Sequence, residues 1–416
     1  MKTPRFWIVA GLLLAGPAAQ AQLLPSRGGA LEHVDSVLPH IIDNSRQTLE
    51  KAELNQLSPA RLAERLAVAR RTRITDLLRR HRESVELDDR QEAARRGLVL
   101  LMGAQPTSVD ALRHAGYGVT TDVVEGIGLS VIRLTVPSGR SLASALKQVR
   151  SIAPEAEASA DNLYFPSGTA SKSKLLALAG GVVVTGPAAG MVDGGVARHA
   201  SLTGAIEQRG FARGAPRASA HGTAVASLIS GSGVIRGAAP GTPLLVADVY
   251  GDDPAGGSAF AIARALGWMA ARGVKVVTVS LVGPSNPLLA GAIKLARDKG
   301  GVVVAAVGND GPAAPPAYPA SYPDVIAVTG IDGRGRLLPE AGRARHVDFA
   351  APGADMNAAR VDGGKGRVRG TSFAAPLVAG RLFAKGSLSG LMTETKAGRG
   401  KAFGHGIVCD ECRNID

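Results

Sequence analysis

Aromatic residues make up only 4% of the 416-residue chain and do not interleave with its basic runs, so a formal charge of +13 lacks the stacking partners of a nucleic-acid reader. No nucleic-acid partner is expected. Cysteine is nearly absent: Cys409 and Cys412, in CDEC near the end, are the only two. That excludes a disulfide framework and leaves too few ligands for a confident zinc centre. Long apolar runs are missing as well, since the stretch Phe6 to Gly16 has eleven residues against the ~20 that span a bilayer. No Asp-rich loop calls for calcium, so a structural calcium has no motif behind it and no cofactor is expected.

What is present reads as an exported globular protein. Lys2 and Arg5 precede that apolar stretch, and Ala19-Gln20-Ala21 follows it, the pattern of a secretory signal peptide over 1–21. The implied location is periplasmic or secreted. Hydrophobic residues at 45% and charged ones at 20% suit packed cores, and the length suits ~2 to 3 folding units. Residues 22–96 read as a helix-rich segment. Between Arg61 and Arg96 lie 11 Arg against 7 Asp and Glu, on a stretch with helical apolar spacing, which reads as a solvated face or a contact for an anionic surface.

At 97–166 the pattern changes to β-α-β-β-α-β: LVLLM at 98–102, a helix over 108–116, strands at 118–124 and 129–136, a helix over 141–152 and an extended close at 155–165. This order is a split βαβ unit with a ferredoxin-like outline. A small-residue linker follows at 167–178, its SGTASKSK the kind of exposed stretch that proteases nick. Over 179–390 apolar strands alternate with helices, which argues an α/β doubly wound parallel sheet with sites at the strands' carboxyl ends. A tail at 391–416 carries CDEC. In an exported chain the two cysteines are expected to bridge, with a redox pair or a metal site using His405 as the alternatives.

Three segments carry chemistry. Asp193 ends an apolar run that includes Val182, Val183, Val184, Met191 and Val192, as a carboxylate at the tip of a buried strand does. His221 opens HGTAVASLISG, and Ser372 sits in GTSFAAPLVAG at a helix start. A hydroxyl becomes nucleophilic beside an imidazole that is itself held by a carboxylate. The order Asp, His, Ser is that of subtilisins, whereas chymotrypsin runs His, Asp, Ser and the α/β-hydrolases Ser, Asp, His. With SLVGP at 280–284, AAVGNDG at 305–311 and further segments in the same order, the chain over about 180–390 resembles the subtilisin-like (S8) serine peptidases.

That resemblance implies a serine endopeptidase acting on protein or peptide through an acyl-enzyme, with Asp193, His221 and Ser372 as its triad. Asn309 and Ser372 would then hold the oxyanion, while Ser280, Leu281, Val282, Gly283 and Gly308 contact substrate and Ala305 and Ala306 line the pocket for the residue before the cut, giving an apolar or broad preference. The ferredoxin-like unit is similar to the family's prodomain, which implies an intramolecular prodomain and a zymogen. Two positions depart from the family: Gly194 stands where Thr or Ser is frequent, and Val282 where glycine is frequent, so specificity is not transferable. A catalytically silent fold that binds peptides or assists an assembly is the alternative.

Overall fold

Serine and asparagine caps open most of the helices, and valine-rich runs form many of the strands, in the computed structural model, which describes residues 57–167 and 177–415. The signal-peptide stretch and most of the linker therefore lie outside the described residues. Helix α1, Pro59–Arg80, begins at Ser58, whose hydroxyl accepts the Arg61 N–H. Strand β1 (Val85–Leu87) follows, then β2 (Ala93–Met102), α2 (Pro106–His114), β3 (Gly118–Val124), β4 (Leu129–Thr135), α3 (Leu142–Ile152) and β5 (Glu157–Asn162). Antiparallel pairing runs β5-β2-β4-β3, with β1 and β4 on the same edge of β2, opposite β5. That is the split βαβ arrangement. Its core is formed by Leu101, Leu112, Leu134 and Leu146.

Two boundaries differ from the sequence reading. Strand β2 starts at Ala93 rather than at 98, because Arg95 and Arg96 hide its first half from a hydrophobicity pattern while Gly97, at φ +67, marks an irregularity in the register with β5. Nor do Val182 and Val183 belong to a buried strand. They are 60% and 71% exposed, since Gly180, Gly181 and Gly186 turn the chain at positive φ before it enters the sheet.

The second sheet has seven parallel strands: β7 (Ala189–Asp193), β8 (Ile206–Gly210), β9 (Leu244–Asp248), β10 (Val276–Val279), β12 (Val302–Ala306), β13 (Val325–Ile331) and β14 (Phe349–Pro352), where β11 (Leu281–Val282) lies outside it. Their spatial order is β14-β13-β12-β10-β7-β9-β8. The chain enters at β7, runs out to one edge and then crosses to the other side, so a topological switch lies beside β7. Helices α5 (Ala259–Ala271) and α6 (Pro287–Asp298) pack on one face, and α4 (Ala220–Ser230) and α7 (Ala375–Lys385) on the other. Residues after 390 are no loose tail. Val408 is buried in the second core, Ile407 bridges to Ala350, and Arg413 donates to the Ala354 carbonyl.

The two sheets belong to one compact unit. Where the β3–β4 turn meets α5, backbones touch: a Cβ on Gly267 would lie 2.2 Å from the Glu125 carbonyl oxygen, and one on Gly126 2.2 Å from that of Gly267. Asp161 accepts the Phe260 N–H at the start of α5 at 2.9 Å, and the Asn286 amide, which caps α6 through its oxygen, donates to the Ala160 carbonyl at 2.9 Å. The small unit thus caps one helix of the large one and satisfies the cap of another.

Candidate active site

Asp193 is the last residue of β7, and its carboxylate meets the next element because Ser219 caps α4 and sets His221 in that helix's first turn. Both carboxylate oxygens lie 2.9 Å from His221 Nδ1. On the ring's other side Nε2 is 2.9 Å from the Ser372 hydroxyl. With Asp193 1% and His221 8% exposed and Ser372 buried, water is largely kept from the chain of bonds. Gly194 has a local reason: its N–H donates to Asp193 Oδ1 at 2.7 Å, and a Cβ there would lie 2.4 Å from Ser219 Oγ. The cap of the histidine helix fills the space that a side chain at 194 would need.

Ser372 lies in the 3-10 turn Thr371–Phe373 that leads into α7, so its N–H is free of helix pairing. Two turns converge on it. Asn309, three residues beyond β12, accepts the Thr371 N–H on Oδ1 at 3.1 Å, which fixes the amide so that Nδ2 faces the cleft. Thr371 Oγ1 in turn accepts the Gly308 N–H at 3.0 Å. Thr371 was not singled out in the sequence, although its place beside Ser372 in GTS was the available signal.

The cleft is filled by the chain itself. Strand β6, Phe165–Pro166, pairs antiparallel with β11, Val282 opposite Phe165, while the Tyr164 N–H donates to the Gly257 carbonyl at 2.8 Å on the other side. The next residue, Ser167, donates its N–H to the Ser280 carbonyl at 3.2 Å. Its own carbonyl oxygen accepts from the Ser372 N–H at 3.1 Å and from Asn309 Nδ2 at 2.5 Å. Ser167 therefore sits in the cleft and not in a linker. Ser280, Leu281, Val282 and Asn309 meet this strand as substrate and oxyanion contacts would, and Ser280 Oγ also donates to the Ser372 carbonyl at 2.8 Å.

Ala305 and Ala306 are fully buried and are not among the residues that line the cavity beside the cleft. As the last residues of a central strand they point to opposite faces of the sheet, one into each core, and the lining passes to Val307 and Gly308 past the strand end. Gly283 does line that cavity, although its N–H donates to the Tyr318 carbonyl at 2.9 Å and not to the inserted strand. Cys409 and Cys412 form a disulfide. His405, instead of joining them, packs at a tilt against Phe349 with ring centres 5.5 Å apart.

Helix α1 reaches the same cleft. Arg73 pairs with Asp310 at 3.1 Å and lies over the Phe165 ring, and Arg70 joins Glu92 at 2.9 Å and Asp310 at 3.7 Å. Asp310 is the neighbour of Asn309. Leu66 fills the space above Gly311, where a Cβ would come 2.7 Å from its Cδ1. Part of the arginine-rich face is thus spent on the chain's own acids.

A parallel sheet with an Asp-His-Ser relay at its switch point and two donors on a held carbonyl defines the subtilisin-like fold and fits a serine-hydrolase triad. The subtilase family profile matches residues 186–384. Subtilisin BL of Lederbergia lenta is 32% identical over 210 residues, 48% of this chain and 76% of its own length. The chain belongs to the subtilase family. The major intracellular serine protease of Bacillus subtilis (strain 168) is 34% identical over 170 residues, 39% of this chain, and the match spans about half of that relative, 53% of its length. In fold it is similar to fervidolysin from Fervidobacterium pennivorans, a keratinolytic enzyme related to subtilisin, with a TM-score of 0.62 at 19% identity, over 77% of this chain and 61% of that one.

Proposed function

We propose that the protein is an exported serine endopeptidase made as a precursor, with its own residues Leu163 to Ser167 lying in the cleft as the first substrate. One observation carries this: the Ser167 carbonyl oxygen takes two donors, Ser372 N–H and Asn309 Nδ2, while the Ser372 hydroxyl is bonded to His221. In the reaction Ser372 Oγ attacks a carbonyl so held, and His221 Nε2 takes the hydroxyl proton. The two donors stabilise the negative oxygen as it forms. Asp193 holds the imidazolium, which then gives its proton to the leaving amine as the peptide bond breaks. Water, deprotonated by the same His221, releases the acyl group.

For the precursor the bond at stake is Ser167–Gly168. N-terminal sequencing of the released form is expected to begin at Gly168, and a start near Gln22 in a fully active protein would sink the precursor reading. Treatment with a fluorophosphonate tests the enzyme reading itself: the processed protein is labelled at Ser372, and a processed protein that takes no label is a silent scaffold. Export rests on the signal-peptide pattern over 1–21 and is tested by fractionating cells that express the full chain.

Helix α1 supports the closed state. Exposed ion pairs contribute ~0.2–1 kcal/mol each, so Arg70→Ala with Arg73→Ala is expected to speed escape of the cleaved segment by about 2- to 30-fold. The released enzyme has the same sequence in both cases, so a fluorogenic progress curve started from equal amounts of precursor reads the escape alone. Equal lag times would remove α1 from the inhibitory segment.

The contact between the two sheets is also expected to respond to acid. Burial raises the Asp161 carboxyl above its ordinary range, outweighing the Phe260 N–H and the Arg95 guanidinium. A raised carboxyl favours the folded state below the ordinary aspartate range, and that advantage is lost as pH rises through the folded value. Asp161→Asn keeps an acceptor for Phe260, so in a Ser372→Ala background, where the chain stays intact, it is expected to raise Tm at neutral pH. The gain should shrink toward pH about 4. A constant gap across that range would show that the carboxyl's charge is irrelevant.

A further inference from the structure

Ser167, the residue whose carbonyl faces Ser372, turns its hydroxyl back to the Ser280 carbonyl at 3.3 Å rather than outward into a pocket. Further along β11, opposite Phe165, stands Val282. It faces Gly308, which follows β12, and a Cβ built on Gly308 would lie 3.3 and 3.6 Å from the two γ-methyls of Val282. Those methyls span the slot between the two segments. Val282 is only 9% exposed and is held in the pairing with β6, so it has little freedom to swing aside. Beyond it lies a cavity of about 250 Å³ whose walls include Val282, Gly283, Val307, Gly308 and Ala317, and which Ser167 does not line.

We infer that Val282 is the specificity-determining side chain of this peptidase and restricts cleavage to peptides with a small residue, serine or alanine, before the cut. This rests on the endopeptidase reading. A larger side chain at that position would meet the valine methyls in a packed, buried wall, where added atoms force neighbours out of their wells. A methyl or hydroxymethyl group stops short of them. Val282 forms part of the wall of that cavity, which Leu163 and Phe165 of the inserted strand also line, so removing its side chain is expected to widen the slot toward Val307 and Gly308.

The test uses processed enzyme from the full chain and the fluorogenic peptides Leu-Tyr-Phe-Pro-X, where X is Ser, Ala, Leu or Phe. Wild type is expected to cleave after Ser and Ala with kcat/KM at least about tenfold above Leu and Phe, by the discrimination a filled apolar slot gives. Val282→Gly is expected to raise the ratio of Leu and Phe to Ser and Ala cleavage by a similar factor, read within one enzyme so that any loss of overall activity cancels. Val282→Ala, closer to the native strand propensity, is expected to fall between the two. Wild type that cleaves after Phe as well as after Ser overturns the proposal, whether or not the variants fold. A small-residue preference that survives in an active Val282→Gly enzyme moves the restriction to another residue. No cleavage of any peptide, together with no fluorophosphonate label, instead removes the endopeptidase reading on which it stands.

Discussion

Ser372→Ala is expected to yield a chain that stays joined at Ser167–Gly168, takes no fluorophosphonate and shows turnover lower by about six orders of magnitude, the loss seen in subtilisin when its nucleophile is removed. The size of this effect follows from what the hydroxyl does here. It lies 2.9 Å from His221 Nε2, and no other hydroxyl shares that nitrogen among the described residues. The fold should tolerate the change, because Ser372 holds its place through its backbone: its N–H donates to Ser167 and its carbonyl accepts from Ser280 Oγ. Intact mass and gel migration of the purified full chain give the answer. Normal processing of the alanine variant would mean that another protease makes the cut, and retained labelling would place the nucleophile elsewhere.

Asn309→Ala is the second large effect, with kcat expected to fall by about 10²- to 10³-fold and KM to change little. The amide donates to the Ser167 carbonyl oxygen at 2.5 Å, where charge grows in the transition state, and its position is set by Thr371 from behind. The same factor should appear in the rate of self-cleavage, measured by quenching freshly folded precursor at intervals. That reaction starts with the peptide already bound, so it separates rate from affinity. A variant with full turnover would remove Asn309 from the oxyanion site.

Much of this site was legible because each chemical residue stands at the end of a patterned element. Asp193 closes an apolar strand, His221 and Ser372 start small-residue helices, and Asn309 follows a valine run; parallel-sheet topology then brings strand ends together. Side-chain direction was less legible. Ala305 and Ala306 are two residues short of the pocket, and an apolar pair reads the same whether it ends in a core or in a cleft. Val182 and Val183 misled because hydrophobicity alone does not register the glycine turns around them. Strand β2 was half hidden by Arg95, whose charge is used at 2.7 Å on Asp253, far away in sequence. The insertion of Tyr164 to Ser167 between β11 and the Gly257 loop was the least readable feature, since the partner segments lie about a hundred residues on and nothing local marks them.

The strand lodged beside Ser372 is tethered to the machinery that would cut it, which fixes the kinetic order of the first event. On the proposed precursor reading each molecule carries one equivalent of its own reactant, so a hundredfold dilution is expected to leave the half-life of the precursor unchanged. Only what happens after the bond is broken, when fragments separate or meet other molecules, scales with how much protein is present.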